Sequence, residues 1–373
     1  MDHSFPEMKK YLGFGCMRLP MKGDEVDLEQ FIQMTDLFLE NGFNYFDTAH
    51  GYIDGKSETA IRAALTSRHK RDEYLLTDKL TDPYFQKEED IRPFFEKQLA
   101  WCGVDYFDFY LMHAQSAGNY EKFRRCHAYE TAFALKKEGK IRHVGISFHD
   151  KVDVLDQILT DYPEIEIVQI QFNYLDYEDA SVEGRKVYEV ARKHNKPLLI
   201  MEPVKGGSLA NLPAPVAEIL HEADPARSQA AWALRFAASL PGLVTVLSGM
   251  SDLAQMRDNL ATMKDAAPLT ADENAVICAA QTKLAAIPSV PCTDCRYCVK
   301  DCPAGVAIPG VFKSLNTYLV YGNLAGAKGS YGYNCRTGEK AAACLACGQC
   351  ESVCPQHINI IERLREAAEL LGG

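Results

Sequence analysis

A chain of 373 residues with 47% hydrophobic content can bury a substantial core and has room for one large domain and a smaller one, which excludes a disordered polymer and a single miniature module. Its 51 acidic against 40 basic residues give a formal net charge of -11, so no basic stripe is available to displace phosphate counterions and no nucleic-acid partner is expected. No uninterrupted apolar stretch approaches the roughly 20 residues that span a bilayer, and the opening MDHSFPEMKK holds neither an apolar signal region nor a twin-arginine leader, so a cytoplasmic protein with no membrane partner is expected.

Residues 1–10 read as a short lead-in. From 11 to 262, short apolar runs alternate with amphipathic stretches, and the apolar runs number eight: Leu12–Met17, Asn44–Thr48, Tyr74–Lys79, Phe107–Met112, His143–Ser147, Ile165–Gln171, Pro197–Met201 and Leu243–Leu247. Eight successive strand and helix units predict an α/β chain of the (β/α)8 TIM-barrel class, with the lead-in crossing the barrel bottom. The intervening pieces have helical spacing, as in Ile91, Phe95, Leu99 and Cys102, or Leu253, Met256, Leu260 and Met263, and form the expected outer ring. The barrel is assigned to residues 1–263. A connecting segment, 264–290, holds Pro268 and Pro288 around a helical stretch, and a second domain covers 291–373. In that domain Val311, Phe312, Leu315, Tyr318 and Leu319 mark a helix, Gly322 to Gly332 reads as a glycine-rich turn, and a last helix runs from Ile358 to Leu371.

The second domain carries one cysteine pattern twice: Cys292, Cys295, Cys298 and Cys302 before Pro303, then Cys344, Cys347, Cys350 and Cys354 before Pro355. This C-x2-C-x2-C-x3-C-P run is the one that holds 4Fe-4S clusters, with the fourth cysteine ligating the other cluster in two-cluster ferredoxins. On that reading Cys292, Cys295, Cys298 and Cys354 hold one cluster, while Cys344, Cys347, Cys350 and Cys302 hold the second. A zinc site needs four ligands in tetrahedral pairs, and these runs carry a surplus over it. The fold expected here is a small, mainly helical, ferredoxin-like domain with two clusters. Five cysteines remain, Cys16, Cys102, Cys126, Cys278 and Cys335; an odd remainder argues for a reducing compartment and for buried apolar roles.

In the barrel, four polar residues fall at or just beyond the C-terminal ends of consecutive strands, where this architecture builds its active sites. They are Asp47 and Tyr52 in FDTAHGY, Lys79 in LLTDK and His113 in FYLMH. Asp47 can keep Lys79 charged, the ammonium can depress the Tyr52 phenol, and a neutral His113 can orient a carbonyl. Singly each is weak evidence; on successive strands they describe a proton-donating site for hydride chemistry.

Over about residues 11–262 the chain resembles the aldo-keto reductase family, in LGFGCMRL, in FDTAHGYIDGKSE with its Gly55, Ser57 and Glu58, in DFYLMH and in HVGIS. The resemblance implies Tyr52 as proton donor with Asp47, Lys79 and His113 completing a tetrad. It implies an NAD(P)H cofactor whose nicotinamide carboxamide meets Ser147 and Gln169. The pyrophosphate would lie along PVKGGSL, including Pro203, Lys205 and Gly207, and the adenosine end along Ser248, Gly249, Gln255 and Asn259. Two departures stand out: Phe148 follows Ser147 where the family has asparagine, and Ser251-Asp252 stands where a cation commonly meets the 2'-phosphate of NADP.

With CRYC, GQCESVCPQHI and IMEPVKGG, nearly the whole chain resembles the subgroup of that family with a C-terminal ferredoxin-like domain. The implied function is interconversion of a small-molecule carbonyl and an alcohol with NAD(P)H, beside clusters that move single electrons. Hydride carries two electrons at once, so coupling the two requires a flavin, for which no motif is visible, or a substrate that tolerates a radical. The clusters otherwise serve a redox partner protein or the stability of their own domain. The alternative is an iron-sulfur electron-transfer or redox-sensing protein whose barrel performs no hydride transfer.

Overall fold

The computed structural model describes residues 5–180, 182–300 and 302–372. Within it the chain forms two compact units, one comprising residues up to Gly206 with Ala230–Ala271, the other Gly207–Gln229 with the residues from Asp272 onward. Among the described residues no helix is long and apolar enough to cross a membrane.

The strands of the first unit are β1 (Leu12–Gly15), β2 (Met21–Lys22), β3 (Glu25–Val26), β4 (Tyr45–Asp47), β5 (Leu75–Leu80), β6 (Phe107–Gln115), β7 (Ile141–Phe148), β8 (Ile167–Gln171), β9 (Leu198–Met201) and β10 (Leu243–Gly249). All eight expected runs are strands, and they close into a parallel barrel in the order β1-β10-β9-β8-β7-β6-β5-β4. The antiparallel pair β2 and β3 is an addition to the expected elements, too short to show a periodic pattern.

Side-chain alternation sorts the strand residues into two cores. Tyr45, Leu75, Phe109, Leu111, Ile167, Leu199, Val244 and Leu247 pack together inside the barrel, whereas Leu76, Tyr110, Met112, Val144 and Ile146 face the helices. Phe5 of the lead-in joins the inner cluster, edge-on to Phe109 at 5.2 Å and to His143 at 4.7 Å; the first four residues of that lead-in lie outside the described residues. Gly145 shows how tight the barrel is, since a Cβ there would stand 2.6 Å from the Ile167 carbonyl oxygen.

The second unit has its own core, with Val311, Phe312 and Leu315 of the helix Ile308–Tyr321 against Leu364 and Ala367 of the helix Ile360–Leu371. The glycine-rich stretch is not a turn. Gly322 ends one helix at φ 64, and a second helix, Leu324–Asn334, starts immediately with the Asn323 side chain accepting from Gly326 N–H at 2.8 Å. Burial of Ala327 and Tyr331, one turn apart, outweighs the cost of about 1 kcal/mol that each helical glycine imposes. The two helices approach closely at Gly310, where a Cβ would meet the Asn334 carbonyl oxygen at 2.0 Å.

Candidate active site and cysteine cavities

The four residues expected at the strand ends come together. Lys79 on β5 is fully buried, and its ammonium donates to Asp47 Oδ1 at 2.6 Å, to the Thr48 carbonyl at 2.7 Å and to the Tyr52 hydroxyl at 3.3 Å. These three partners use all three of its donors. Burial alone would strip its proton, but Asp47 and then Tyr52 outweigh burial and hold the ammonium charged. Burial pushes Asp47 up, opposed by Lys79 and by Gln169, whose Nε2 donates to Asp47 Oδ2 at 3.4 Å.

Tyr52 departs from expectation. Burial raises its phenol by more than Lys79 lowers it, so the net shift is upward, away from the phenolate. His113 is driven well below its ordinary value by burial first, then by the charge of Lys79, and is neutral as expected. Its Nδ1 faces Thr81 Oγ1 at 2.7 Å, and its ring stands edge-on to Tyr52 at 5.9 Å.

The backbone explains why the signature after β4 has its composition. Ile53, Asp54 and Gly55 take left-handed φ values of 53°, 52° and 83° in succession, a strained turn immediately after the proton-donor candidate. Side chains on both flanks hold it. Ser57 Oγ donates to the Cys16 carbonyl at 2.9 Å and shares a 2.7 Å hydrogen bond with Thr48 Oγ1, His50 Nδ1 meets Glu58 Oε2 at 2.6 Å, and Lys56 reaches Glu25 of β3 at 2.7 Å. Beyond His113, Ala114 is also left-handed at φ 50°, its N–H donating to Ser147 Oγ at 2.7 Å.

Of the residues expected to meet the nucleotide, Ser147, Ser248 and Gly249 lie in the C-terminal halves of barrel strands and Gln169 at the centre of its own. Ser147 and Gln169 are register partners on β7 and β8. Ser248 Oγ accepts from Asn259 Nδ2 at 2.9 Å, both residues being buried, and Gly249 ends β10. Gln255 Oε1 accepts from Ser251 N–H, and its own N–H donates to Asp252, which caps the helix Leu253–Met263. In the loop after Pro203, Lys205 is left-handed and ion-paired to Asp176, with Gly206 and Gly207 left-handed after it. Phe148 is buried. Sequence reasoning missed Arg18, whose guanidinium stands 3.4 Å from where a Gly206 Cβ would be, while its stem passes 3.5 Å from the corresponding point at Gly249. Its signals are its place shortly after the first strand and inside the phrase LGFGCMRL.

In the second unit the eight cysteines of the two runs line two cavities. One is bounded by Cys292, Cys295, Cys298 and Cys354, the other by Cys302, Cys344, Cys347 and Cys350, so each takes three cysteines from one run and one from the other. Ile308 lines both. The donor set suits thiolate ligands: Val306 N–H points at Cys302 Sγ and Ala346 N–H at Cys344 Sγ, each at 3.4 Å, and left-handed Asp294, Arg296 and Ala346 curl the backbone around the sulfurs. Of the five other cysteines Cys16, Cys102, Cys126 and Cys335 are buried as expected, but Cys278 is exposed. Its helix buries Ile277, Ala280 and Leu284, and the next position turns away from that stripe.

A model of the aldo/keto reductase family matches residues 11–281, most of the chain. The chain belongs to the aldo/keto reductase family. It is an oxidoreductase of that type, and its C-terminal part is matched over residues 291–359 by a 4Fe-4S dicluster domain. Among curated proteins it is similar to an uncharacterized oxidoreductase, YqkF, of Bacillus subtilis, 24% identical over 281 residues that cover 67% of this chain and 85% of that one. Human aldo-keto reductase family 1 member C3 is 34% identical over a shorter stretch, 28% of this chain and 31% of the human enzyme. Among solved structures the barrel resembles the holo form of aldo-keto reductase AKR11C1 from Bacillus halodurans, with a TM-score of 0.59 and 25% identity over 73% of this reductase and 96% of that chain. A Klebsiella pneumoniae aldo-keto reductase in complex with NADPH shares the fold, at TM-score 0.59 and 19% identity, over 72% of this chain and 94% of its own.

Proposed function

We propose that the barrel reduces a small carbonyl compound with NAD(P)H, Tyr52 acting as the general acid, and that the C-terminal domain holds two 4Fe-4S clusters. The observation that carries the first half is the Lys79 ammonium bonded at once to Asp47 and to Tyr52, at 2.6 and 3.3 Å. Bound NAD(P)H supplies hydride, and the 4Fe-4S clusters supply one-electron steps. The chain's own residues supply the proton. Tyr52, kept protonated by burial, gives it to the substrate oxygen as that oxygen gains charge, and Lys79 steadies the phenolate left behind. A Thr81 hydroxyl donating to Nδ1 leaves the proton of neutral His113 on Nε2, where it can hydrogen-bond the substrate oxygen. Ser147 and Gln169 are the proposed carboxamide contacts, and Pro203, Lys205, Gly207, Ser248, Gly249, Gln255 and Asn259 the proposed contacts along the rest of the nucleotide, joined by Arg18.

Two clusters require about eight iron and eight sulfide per chain in anaerobically prepared protein. Stoichiometric zinc without sulfide would sink the assignment. The cytoplasm, where cysteine thiols stay reduced and available as ligands, is the proposed compartment.

Nucleotide preference follows from the residues near Gly249. Asp252 is committed to a helix cap, Lys205 to Asp176, and Arg18 faces Glu202 at 3.8 Å. NADH is therefore expected to bind at least as tightly as NADPH, read by quenching of intrinsic fluorescence. A clear advantage for NADPH would assign the 2'-phosphate to Arg18 or Arg257.

A further inference from the structure

On the outer face of β5 lies a set of ionisable groups that the chemistry above does not use. Strand alternation turns Lys79 into the barrel and Asp78 outward, toward Glu58 of the helix Lys56–Ile61. Both carboxyls are fully buried. One oxygen of each and the Cys102 sulfur lie within 4.8 Å of one another. Two carboxyls that close and both out of water cannot readily hold two negative charges, and a proton between them relieves the repulsion.

The remaining lone pairs tie the pair to the active site. Asp78 Oδ1 accepts the main-chain N–H of Lys79 at 2.8 Å. Gln98 Nε2 donates to Glu58 Oε1 at 3.3 Å and to the Lys79 carbonyl at 3.1 Å, its own oxygen accepting from Tyr110 at 2.6 Å. Both main-chain groups of the residue whose ammonium holds Asp47 and Tyr52 are thus bonded into this cluster. On the other side His50, from the segment between Asp47 and Tyr52, meets Glu58 Oε2 at 2.6 Å. Its ring stacks on Trp101 at 4.4 Å and its side chain is 20% exposed, which gives the buried pair a route to solvent.

We propose that Glu58 and Asp78 share one proton, and that this proton-bridged pair is the positioning element for the Lys79 backbone and the Tyr52 segment, exchanging its proton with solvent through His50. The groups facing the pair are Lys79 on β5, His50 on the Tyr52 segment, Cys102 on the helix Glu88–Cys102 and Tyr110 on β6. Lys79 is the cation among them and is committed to Asp47. Burial raises both carboxyls, and for Asp78 the charge of Glu58 adds to it, so the proton persists where exposed carboxylates have lost theirs. The folded state then binds more protons than the unfolded one above the ordinary carboxylate range of about pH 4. Stability contributed by the pair is present in acid and falls as pH rises, until the second ionisation leaves two anions in a dry site.

The test compares holoprotein of wild type and Glu58→Gln, which keeps the shape and offers an N–H to Asp78 without titrating. Melting temperature is followed from mildly acidic to mildly alkaline pH: the wild type should lose stability with rising pH more steeply than the variant. The kinetic arm rests on the reductase reading. There kcat of the wild type should fall about tenfold per pH unit on an alkaline limb that Glu58→Gln lacks, while Glu58→Ala loses turnover at neutral pH and Glu58→Gln restores it. Parallel pH dependence of melting in wild type and variant overturns the shared proton. A divalent metal other than iron, stoichiometric in the wild type and absent from Glu58→Gln, overturns it too, by assigning the three ligand atoms to a cation. Should the wild type reduce no carbonyl compound, the reductase reading fails and the melting comparison still decides the pair. Asp78→Asn serves equally where Glu58→Gln does not fold.

Discussion

Exchange of Tyr52 for phenylalanine is expected to lower carbonyl turnover by roughly two to four powers of ten, the usual worth of a positioned general acid, with nucleotide affinity retained. The ring would stay in place, because the Lys79 ammonium lies 4.9 Å from its centroid and keeps Asp47 and the Thr48 carbonyl as partners once the hydroxyl is gone. Burial holds the Tyr52 phenol protonated through the neutral range, so the wild-type acid is fully loaded there. Single-turnover rates with bound nucleotide isolate the chemical step. A variant that keeps wild-type turnover removes Tyr52 from the acid's role.

Cys354→Ala is expected to abolish or destabilise the cluster of the first cysteine run, although Cys354 belongs to the second. The cavity bounded by Cys292, Cys295 and Cys298 is completed by Cys354, and a cubane with three thiolates where it needs four is open to loss of iron. Iron analysis should fall toward half, and paramagnetic resonance of the reduced protein should lose one of two signals. Cys292→Ala should remove the same signal. If the two variants remove different signals, Cys354 ligates within its own run and the crossover is wrong.

Much of the barrel is legible because its strands are buried on both faces and read as continuous apolar runs, such as Phe107–Met112, set between helices with a clear stripe. The helix Leu324–Asn334 is not, because three glycines mask a stripe of only two buried residues, Ala327 and Tyr331. The tetrad is legible because its members sit at strand ends in a specific phrase. Its electrostatics are not: the effect of Lys79 on Tyr52 has the expected sign, but burial, which no local phrase encodes, exceeds it. The Glu58 and Asp78 pair escapes for a related reason. Its partners, His50, Gln98, Cys102 and Tyr110, come from three separate segments, and their meeting depends on how helices seat on β5.

The exchange of Cys302 and Cys354 between the two cavities bears on how the protein is made. A ribosome adding about 5–20 residues per second releases Cys292, Cys295 and Cys298 seconds before the fourth cysteine of their cavity has been synthesised. Iron delivered in that interval would find only a partial ligand set, exposed to oxygen and to competing metals. Completion of that cavity is therefore expected to wait for the finished chain, and a product ending just before Cys354 would carry the full cysteine set of the second cavity while leaving the first one short of its fourth.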